Sequence, residues 1–252
     1  MILEKWENIP DNIKNEKTKE YYDILNSKKI TLFLKRLFDI IFSAILLIVL
    51  SPILIILAIA IKIDSKGPIF YRQERITQYG KIFKIFKFRT MIFNADKIGA
   101  LVTTKNDSRI TRVGNIIRKC RLDEIPQLIN ILVGDMAFVG TRPEVKKYVE
   151  RYTDEMKATL LMPAGVTSIA SIKYKNEDEI IGKYIEQGED IDDIYVNRVL
   201  PEKMKYNVDY VKKFTIFQDI LICVQTVNEV LKIQNTKEST NKKQNSKEKI
   251  NK

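Results

Sequence analysis

Between Ile40 and Ile61 every residue is apolar except Ser43, Ser51 and Pro52. A run of 22 residues is long enough to cross the roughly 30 Å hydrocarbon core of a bilayer as a helix, and spanning is the default for such a segment. Two features pull the other way. Pro52 sits near the middle, where it removes a backbone hydrogen bond and kinks a helix, and the Ser51 hydroxyl can satisfy the carbonyl so freed. Lys28, Lys29, Lys35 and Arg36 flank one end and Lys62, Lys66, Arg72 and Arg75 the other, so the positive-inside rule wants both ends in the cytoplasm. A bent hairpin that enters and leaves by the same leaflet meets both demands. The run lies too far from the N-terminus, and is too basic beyond its far end, to be a cleaved signal peptide.

The 252 residues, 45% hydrophobic and 30% charged, suffice for one globular domain beside the apolar segment. The net charge of +11 is uneven, because from Lys232 onward seven lysines face two glutamates. That tail lacks apolar periodicity and reads as a solvated, disordered extension over 233–252. A basic balance suits an anionic membrane surface or phosphorylated substrates as well as nucleic acid. With an apolar segment present and no nucleic-acid-binding motif, the membrane is favoured and no nucleic-acid partner is expected. Histidine is absent, which excludes a Ser-His-Asp triad, a histidine general base and histidine metal sites. Acid–base work falls to carboxylates, lysine or tyrosine. Cys120 and Cys223 form no metal-ligand or redox motif, so a reducing compartment fits, and Cys120 reads as a bystander to the chemistry.

Along the chain, residues 1–32 are polar and lysine-rich and read as a short peripheral helix or a loose arm. Ile69–Arg72 and Lys81–Phe88 form a strand pair with Gly80 in the connection. Residues 108–133 are mainly helical, Arg142–Pro143 opens another polar helix to about Leu161, and 163–170 is a loop or extended segment. The acidic stretch 177–197 is surface helix or loop, and apolar residues every three or four positions from Tyr206 to Leu231 predict one amphipathic helix.

The densest chemistry lies between Arg118 and Pro143. Ile125, Leu128, Ile129 and Leu132 make one helical face apolar, Pro126 is tolerable only in a first turn, and Gly134 is a natural stop. Asp123 and Glu124 therefore fall at a helix N-terminus, where unpaired N–H groups favour ionised carboxylates. On spacing alone, plain helix capping is the commoner account of them.

The block Leu122-Asp-Glu-Ile-Pro-Gln-Leu128, followed by Gly134-Asp-Met and Val139-Gly-Thr-Arg-Pro143, resembles the signature of bacterial sugar transferases, the monotopic polyprenyl-phosphate phosphoglycosyl transferases. Further motifs of that family occur in order: Lys35-Arg36 with Asp39, then Ser51-Pro52, then Gly67-Pro-Ile-Phe-Tyr-Arg-Gln-Glu-Arg75, then Lys87-Phe-Arg-Thr-Met91. The match spans roughly residues 33–232, and five motifs in order are far more specific than any one.

The resemblance implies a mainly α fold with a small β-hairpin element. A polar arm over 1–32 would lead into a re-entrant membrane helix-break-helix over 33–62, broken at Ser51 and Pro52. A catalytic domain over 63–232 would then dock on the cytoplasmic leaflet of the bacterial inner membrane. It further implies transfer of a phospho-sugar from a nucleotide diphosphate sugar, usually uridine-linked, to a polyprenyl phosphate such as undecaprenyl phosphate at the first membrane step of glycan assembly. Asp123 would be the nucleophile and a Mg²⁺ contact, and Glu124, the other catalytic residue, would position the metal, orient groups or handle a proton. Lys87, Arg89, Arg118 and Arg142 would bind the diphosphate, with Asp219 in support. Thr141 stands where the family has proline, and Arg121 where a small Ser or Thr is usual; both bear on donor preference more than on activity. A non-catalytic membrane-anchored scaffold of a glycan assembly complex is the alternative class, and pairing as a homodimer is left open.

Overall fold

The computed structural model describes residues 3–95, 107–174, 177–185 and 190–229. In chain order the elements are α1 (Glu16–Asn26), α2 (Lys29–Asp64), β1 (Phe70–Ile76), β2 (Ile82–Phe88), α3 (Arg112–Lys119), α4 (Gln127–Val133), β3 (Met136–Val139), α5 (Lys146–Val149), β4 (Ala164–Thr167), α6 (Ile169–Lys173), α7 (Glu177–Ile185), α8 (Ile191–Ile194) and α9 (Leu200–Lys213). A last helix, α10, covers 216–229. The fold is mostly helical, as expected, and the tail expected at 233–252 lies outside the described residues.

α2 is one helix of 36 residues that runs unbroken through Ser51–Pro52, where a helix-break-helix was expected. Pro52 removes the donor that would have reached the Ile48 carbonyl, and Ser51 Oγ donates to that same oxygen at 2.8 Å. With the one orphaned acceptor satisfied, the helical ladder continues.

One stripe of α2 is engaged along its length. Leu46, Leu47 and Leu50 pack on Phe83, Ile85, Leu128, Ile131 and Met136; beyond the proline, Leu54, Leu57, Ala58 and Ile61 pack on Phe88 and Ile117. The spacing of three and four is that of a single helical face. Polar ties fix both ends. Lys35 Nζ donates to the Val139 carbonyl at 2.9 Å and to the Asp219 carboxylate at 2.5 Å. Arg36 caps the end of α4 through the Ile131 and Leu132 carbonyls at 2.6 and 2.9 Å, and Asp64 accepts from the Val113 amide of α3 at 3.0 Å. The opposite face, including Ile45, Ile48, Val49, Ile56 and Ile59, is exposed.

The hairpin forms as expected, with Phe70 opposite Phe88 and Ile76 opposite Ile82. Its connection needs two left-handed residues, and Gly80 supplies one at φ 71° while Tyr79 adopts the other at φ 58°. A second sheet was not foreseen. β3 pairs in parallel with β4, Met136 opposite Ala164 and Val139 opposite Thr167, so the segment read as a loop or extended stretch is a strand. The crossing is tight: a Cβ on Gly165 would lie 2.1 Å from the Gly140 nitrogen.

Three further expectations are corrected. The N-terminal residues are not a loose arm, because Leu3, Ile9, Ile13, Tyr21, Tyr22 and Leu25 are buried in a core with Leu161 and Phe214. The amphipathic helix expected over 206–231 is two helices parted at Phe214–Thr215, where Thr215 Oγ1 accepts from the Gln218 amide at 3.1 Å and Phe214 is fully buried. The polar helix expected from Arg142 to Leu161 is only α5 and a short tight-turn helix, Met156–Leu161. Within the acidic stretch, Ile181, Ile194 and Tyr195 form a core with Val199, Leu200 and Met204.

If the N-terminal residues are core, Leu25→Ala should destabilise the protein by about 2–5 kcal/mol, as buried leucines do. Thermal or denaturant unfolding in detergent checks this. A loose arm would register a change within about 0.5 kcal/mol.

Candidate active site

Asp123 and Glu124 lie in a single tight turn, Leu122–Glu124, that precedes α4 rather than inside its first turn. Arg121 starts this turn in a left-handed conformation at φ 57°, an uncommon state for a residue with a Cβ. Thr111 caps α3 by accepting from the Gly114 amide, Pro126 occupies the cap of α4, and Gly134 ends α4 at φ 100°.

Three elements bring charge to this turn. Lys87, near the end of β2, donates to Glu124 Oε1 at 2.9 Å, and Arg142, just past β3, donates to the same oxygen at 2.6 Å. Arg142 is held from both sides. The Thr141 carbonyl accepts from the Gly165 amide at 2.8 Å, and the Glu144 carbonyl accepts from the Ile76 amide at 2.9 Å. Thr141 in place of proline thus leaves this segment pinned by the backbone of both sheets.

Two cavities meet at the turn. The first, about 490 Å³, is lined by Asp123, Lys87, Arg118, Arg89 and Arg109 together with Phe70 and Phe93. The second, about 460 Å³, is walled by Leu46 and Leu50 of α2, Leu128 of α4, Val166 of β4 and Val227 of α10, and is also bordered by Arg121, Glu124, Arg142 and Glu229. Asp123 therefore faces one cavity and Glu124 the other, with Lys87 and Arg142 bridging between them.

The two carboxyls are driven apart electrostatically. Burial raises the Asp123 carboxyl above its usual value, and the neighbouring Glu124 charge raises it further against the pull of Lys87 and Arg118. Burial also works to raise Glu124, but the Arg142 and Lys87 charges and their hydrogen bonds outweigh it and hold that carboxyl well below its usual range. Burial lowers Lys87, and Arg142 lowers it further, against Glu124. Glu124 is thus a fixed anion, while Asp123 is an ionisable group without an ion pair among the described residues.

The other expected site residues divide. Arg118 lines the first cavity and carries no ion pair among the described residues. Arg89 also borders it, but is buried and donates from Nη2 to the Ser65 carbonyl and hydroxyl at 2.7 and 2.9 Å, leaving Nε and Nη1 without partners. Gly67 makes room for it, since a Cβ there would sit 2.1 Å from Nη1. Asp219 lines neither cavity. It is 7% exposed and accepts from Lys35 and from the Tyr210 hydroxyl, the latter at 2.7 Å, so it ties α2, α9 and α10 together. Arg121 borders the apolar second cavity and is not among the residues lining the cationic first one. Arg109, paired with Asp107 at 2.6 Å, was missed. Its isolated position in the sequence carried no signal.

Mg²⁺ retains several waters and takes one or two carboxylates plus substrate phosphates rather than an all-protein cage. No group of three or more His, Cys, Asp or Glu side chains that could hold a metal gathers among the described residues. A single unpaired carboxylate, Asp123, facing a cationic cavity fits that mode of binding.

Residues 30–233 match the family model described as bacterial sugar transferase. The chain belongs to this family. Among its relatives are the UDP-N-acetylgalactosamine-undecaprenyl-phosphate N-acetylgalactosaminephosphotransferase of Aeromonas hydrophila, 32% identical over 79% of this chain and 44% of that protein, and the UDP-glucose:undecaprenyl-phosphate glucose-1-phosphate transferase of Klebsiella pneumoniae, 35% identical over 79% and 40%. A Caulobacter vibrioides protein of the latter name is 31% identical over 80% of this chain and 71% of its own length. The chain thus spans less than half of the first two relatives.

The opposed environments give opposed stabilities. Glu124, held low in the fold, contributes stability that is present above its unfolded value and lost as pH falls through its folded value; Asp123, held high, costs stability once ionised. Asp123→Asn should therefore raise the melting temperature at neutral pH. Glu124→Gln should lower stability by about 1–3 kcal/mol because Lys87 and Arg142 lose their shared acceptor. Calorimetry of both variants at pH 7 checks the signs, and shifts in the same direction would contradict the assignment.

Proposed function

We propose that this family member transfers a sugar 1-phosphate from a UDP-sugar to undecaprenyl phosphate through a covalent intermediate on Asp123. The observation that carries the reading is a carboxylate without an ion pair among the described residues, Asp123, facing a cationic cavity while the adjacent Glu124 borders an apolar one. The names of the relatives support both substrates.

In the first step an Asp123 carboxylate oxygen attacks the phosphorus bearing the sugar, in line with the bridging oxygen of the diphosphate. That P–O bond breaks, and UMP leaves with the electron pair. In the second step an oxygen of the lipid phosphate attacks the acyl-phosphate phosphorus, and the Asp123 carboxylate departs unchanged. Lys87 and Arg118 face the donor cavity and would neutralise its diphosphate, with Arg142 acting across Glu124. Glu124, a fixed anion, positions Lys87 and Arg142 rather than exchanging protons. Magnesium bound by Asp123 and the diphosphate would supply further charge neutralisation.

The same reading places the protein on one leaflet of the inner membrane with the domain in the cytoplasm. α2 is about 54 Å long at 1.5 Å per residue, and the domain contacts its stripe both before and after Pro52. A roughly 30 Å slab of hydrocarbon crossing it squarely would have to swallow part of the domain and its polar groups. Lying in the leaflet avoids that cost and lets the exposed isoleucines contact lipid.

With donor and Mg²⁺ but no lipid acceptor, UMP release should stop near one equivalent and leave a sugar-phosphate adduct on the peptide containing Asp123. Asp123→Asn should abolish both signals. Because the carboxyl is raised, adduct formation should fall off on the acid side at a higher pH than an unperturbed aspartate would give. Release only in the presence of lipid, with no adduct trapped by mass spectrometry, would favour direct transfer.

Topology is checked with Ile30→Cys and Lys66→Cys, each in a Cys120→Ser, Cys223→Ser background. Both positions should be shielded from an impermeant thiol reagent in intact cells and labelled after lysis. Labelling at one end alone in intact cells would establish a spanning helix.

A further inference from the structure

The second cavity is walled largely by apolar side chains, and its charged residues are Arg121, Arg142, Glu124 and Glu229. Glu124 is already saturated by Arg142 and Lys87 on one oxygen. The Arg121 side chain makes no hydrogen bond or ion pair among the described residues and is exposed, while its backbone amide donates to the Arg118 carbonyl at 3.1 Å. The Arg121 guanidinium is therefore available to an incoming anion. Arg118 and Arg121 are three residues apart yet line different cavities, because the left-handed step at Arg121 ends α3 and redirects the chain.

We propose that Arg121 is an acceptor-specificity residue, holding with Arg142 the phosphate of the isoprenoid lipid while its hydrocarbon tail lies between α2 and α10. The proposal rests on the transferase reading and adds to it which cavity takes which substrate. Three features select this occupant. Two guanidiniums match a phosphate monoester, which accepts bidentate hydrogen bonds. Leu46, Leu50, Leu128 and Val166 offer a hydrocarbon surface with no use for a sugar or a nucleobase. The walls α2 and α10 continue outward into exposed apolar faces, Ile45 and Val49 on one and Leu221 and Val224 on the other, so a tail can pass from the groove into the leaflet without meeting water.

Arg121 thus separates two recognition tasks around one dyad. The cation three residues earlier faces the donor, and Arg121 faces the acceptor. A serine at this position would leave the lipid phosphate to Arg142 alone.

The test uses the full-length protein in nanodiscs with undecaprenyl phosphate, farnesyl phosphate and inorganic phosphate as probes. Arg121→Ser should raise the KM for undecaprenyl phosphate about tenfold or more, the usual cost of a charge-assisted hydrogen bond, while the KM for the UDP-sugar moves less than twofold. Arg121→Lys should recover most of the loss. In native mass spectrometry, farnesyl phosphate should be retained by the wild type and lost from Arg121→Ser, and excess inorganic phosphate should displace it poorly because the tail contributes binding. An unchanged acceptor KM, a shift in donor KM instead, or equal retention of farnesyl phosphate by both proteins would overturn the assignment. If no UDP-sugar yields UMP, the transferase reading fails separately, and the retention comparison still decides the role of Arg121. Melting curves of the variants exclude unfolding as the cause.

Discussion

A single oxygen, Oε1 of Glu124, receives Lys87 from one sheet and Arg142 from the end of the other. These two contacts join the antiparallel hairpin, the turn between α3 and α4, and the parallel β3–β4 pair. A two-stranded ribbon is marginal in water by itself, and these elements combine apolar packing against α2 and α4 with the two ion pairs. The side chains are only partly exposed, 16% for Glu124 and 22% for Lys87, so the attraction is less screened than at a free surface. Removing the anion would leave two cations facing each other, which makes the glutamate a structural requirement before it is a chemical one.

The neighbouring aspartate owes its character to the same arrangement. Glu124 pairs with Lys87 and Arg142, so for Asp123 burial and the like charge outweigh the pull of Lys87 and Arg118. Two adjacent carboxyls in one turn thereby take opposite roles, one a permanent counter-ion and the other a group whose ionised form is under-stabilised and open to a cavity. That separation gives one local structure both a rigid counter-ion and an under-stabilised carboxylate open to a cavity.

Much of this was legible in the sequence where the controlling interaction is local. Ser51 beside Pro52 forecast the 2.8 Å bond to the Ile48 carbonyl because the donor and the vacancy are one residue apart. The hairpin, with Gly80 in its connection, follows from alternation and turn chemistry. The motif residues Lys87, Glu124 and Arg142 do converge, although their meeting on one oxygen depends on distant strands. What escaped notice depends on tertiary packing. The β3–β4 pairing rests on two glycines meeting across the chain, Gly140 and Gly165, and four-residue strands carry too little alternation to be read. The N-terminal apolar residues Ile9, Ile13 and Leu25 are spaced among lysines and become core only because α9 and the 156–161 turn supply a surface for them. Asp219, expected to support the site, accepts from Lys35, which lies 184 positions away.

That pair bears on how a helix suited to lipid is kept on a domain. Lys35 and Asp219 are buried, 3% and 7% exposed, and each would be costly alone in so dry a place. Together with the Val139 carbonyl and the Tyr210 hydroxyl they satisfy one another. A well-packed apolar pair could match such a bridge in stability, but an apolar contact would slide. α2 presents leucines and isoleucines around most of its circumference, so hydrophobic burial does not distinguish one rotation of it from another. Directional bonds from Lys35, Arg36 and Asp39 at one end and Asp64 at the other do. They fix which stripe faces the domain, and so leave Leu46 and Leu50 to wall the cavity beside Glu124 while the remaining isoleucines point away from it.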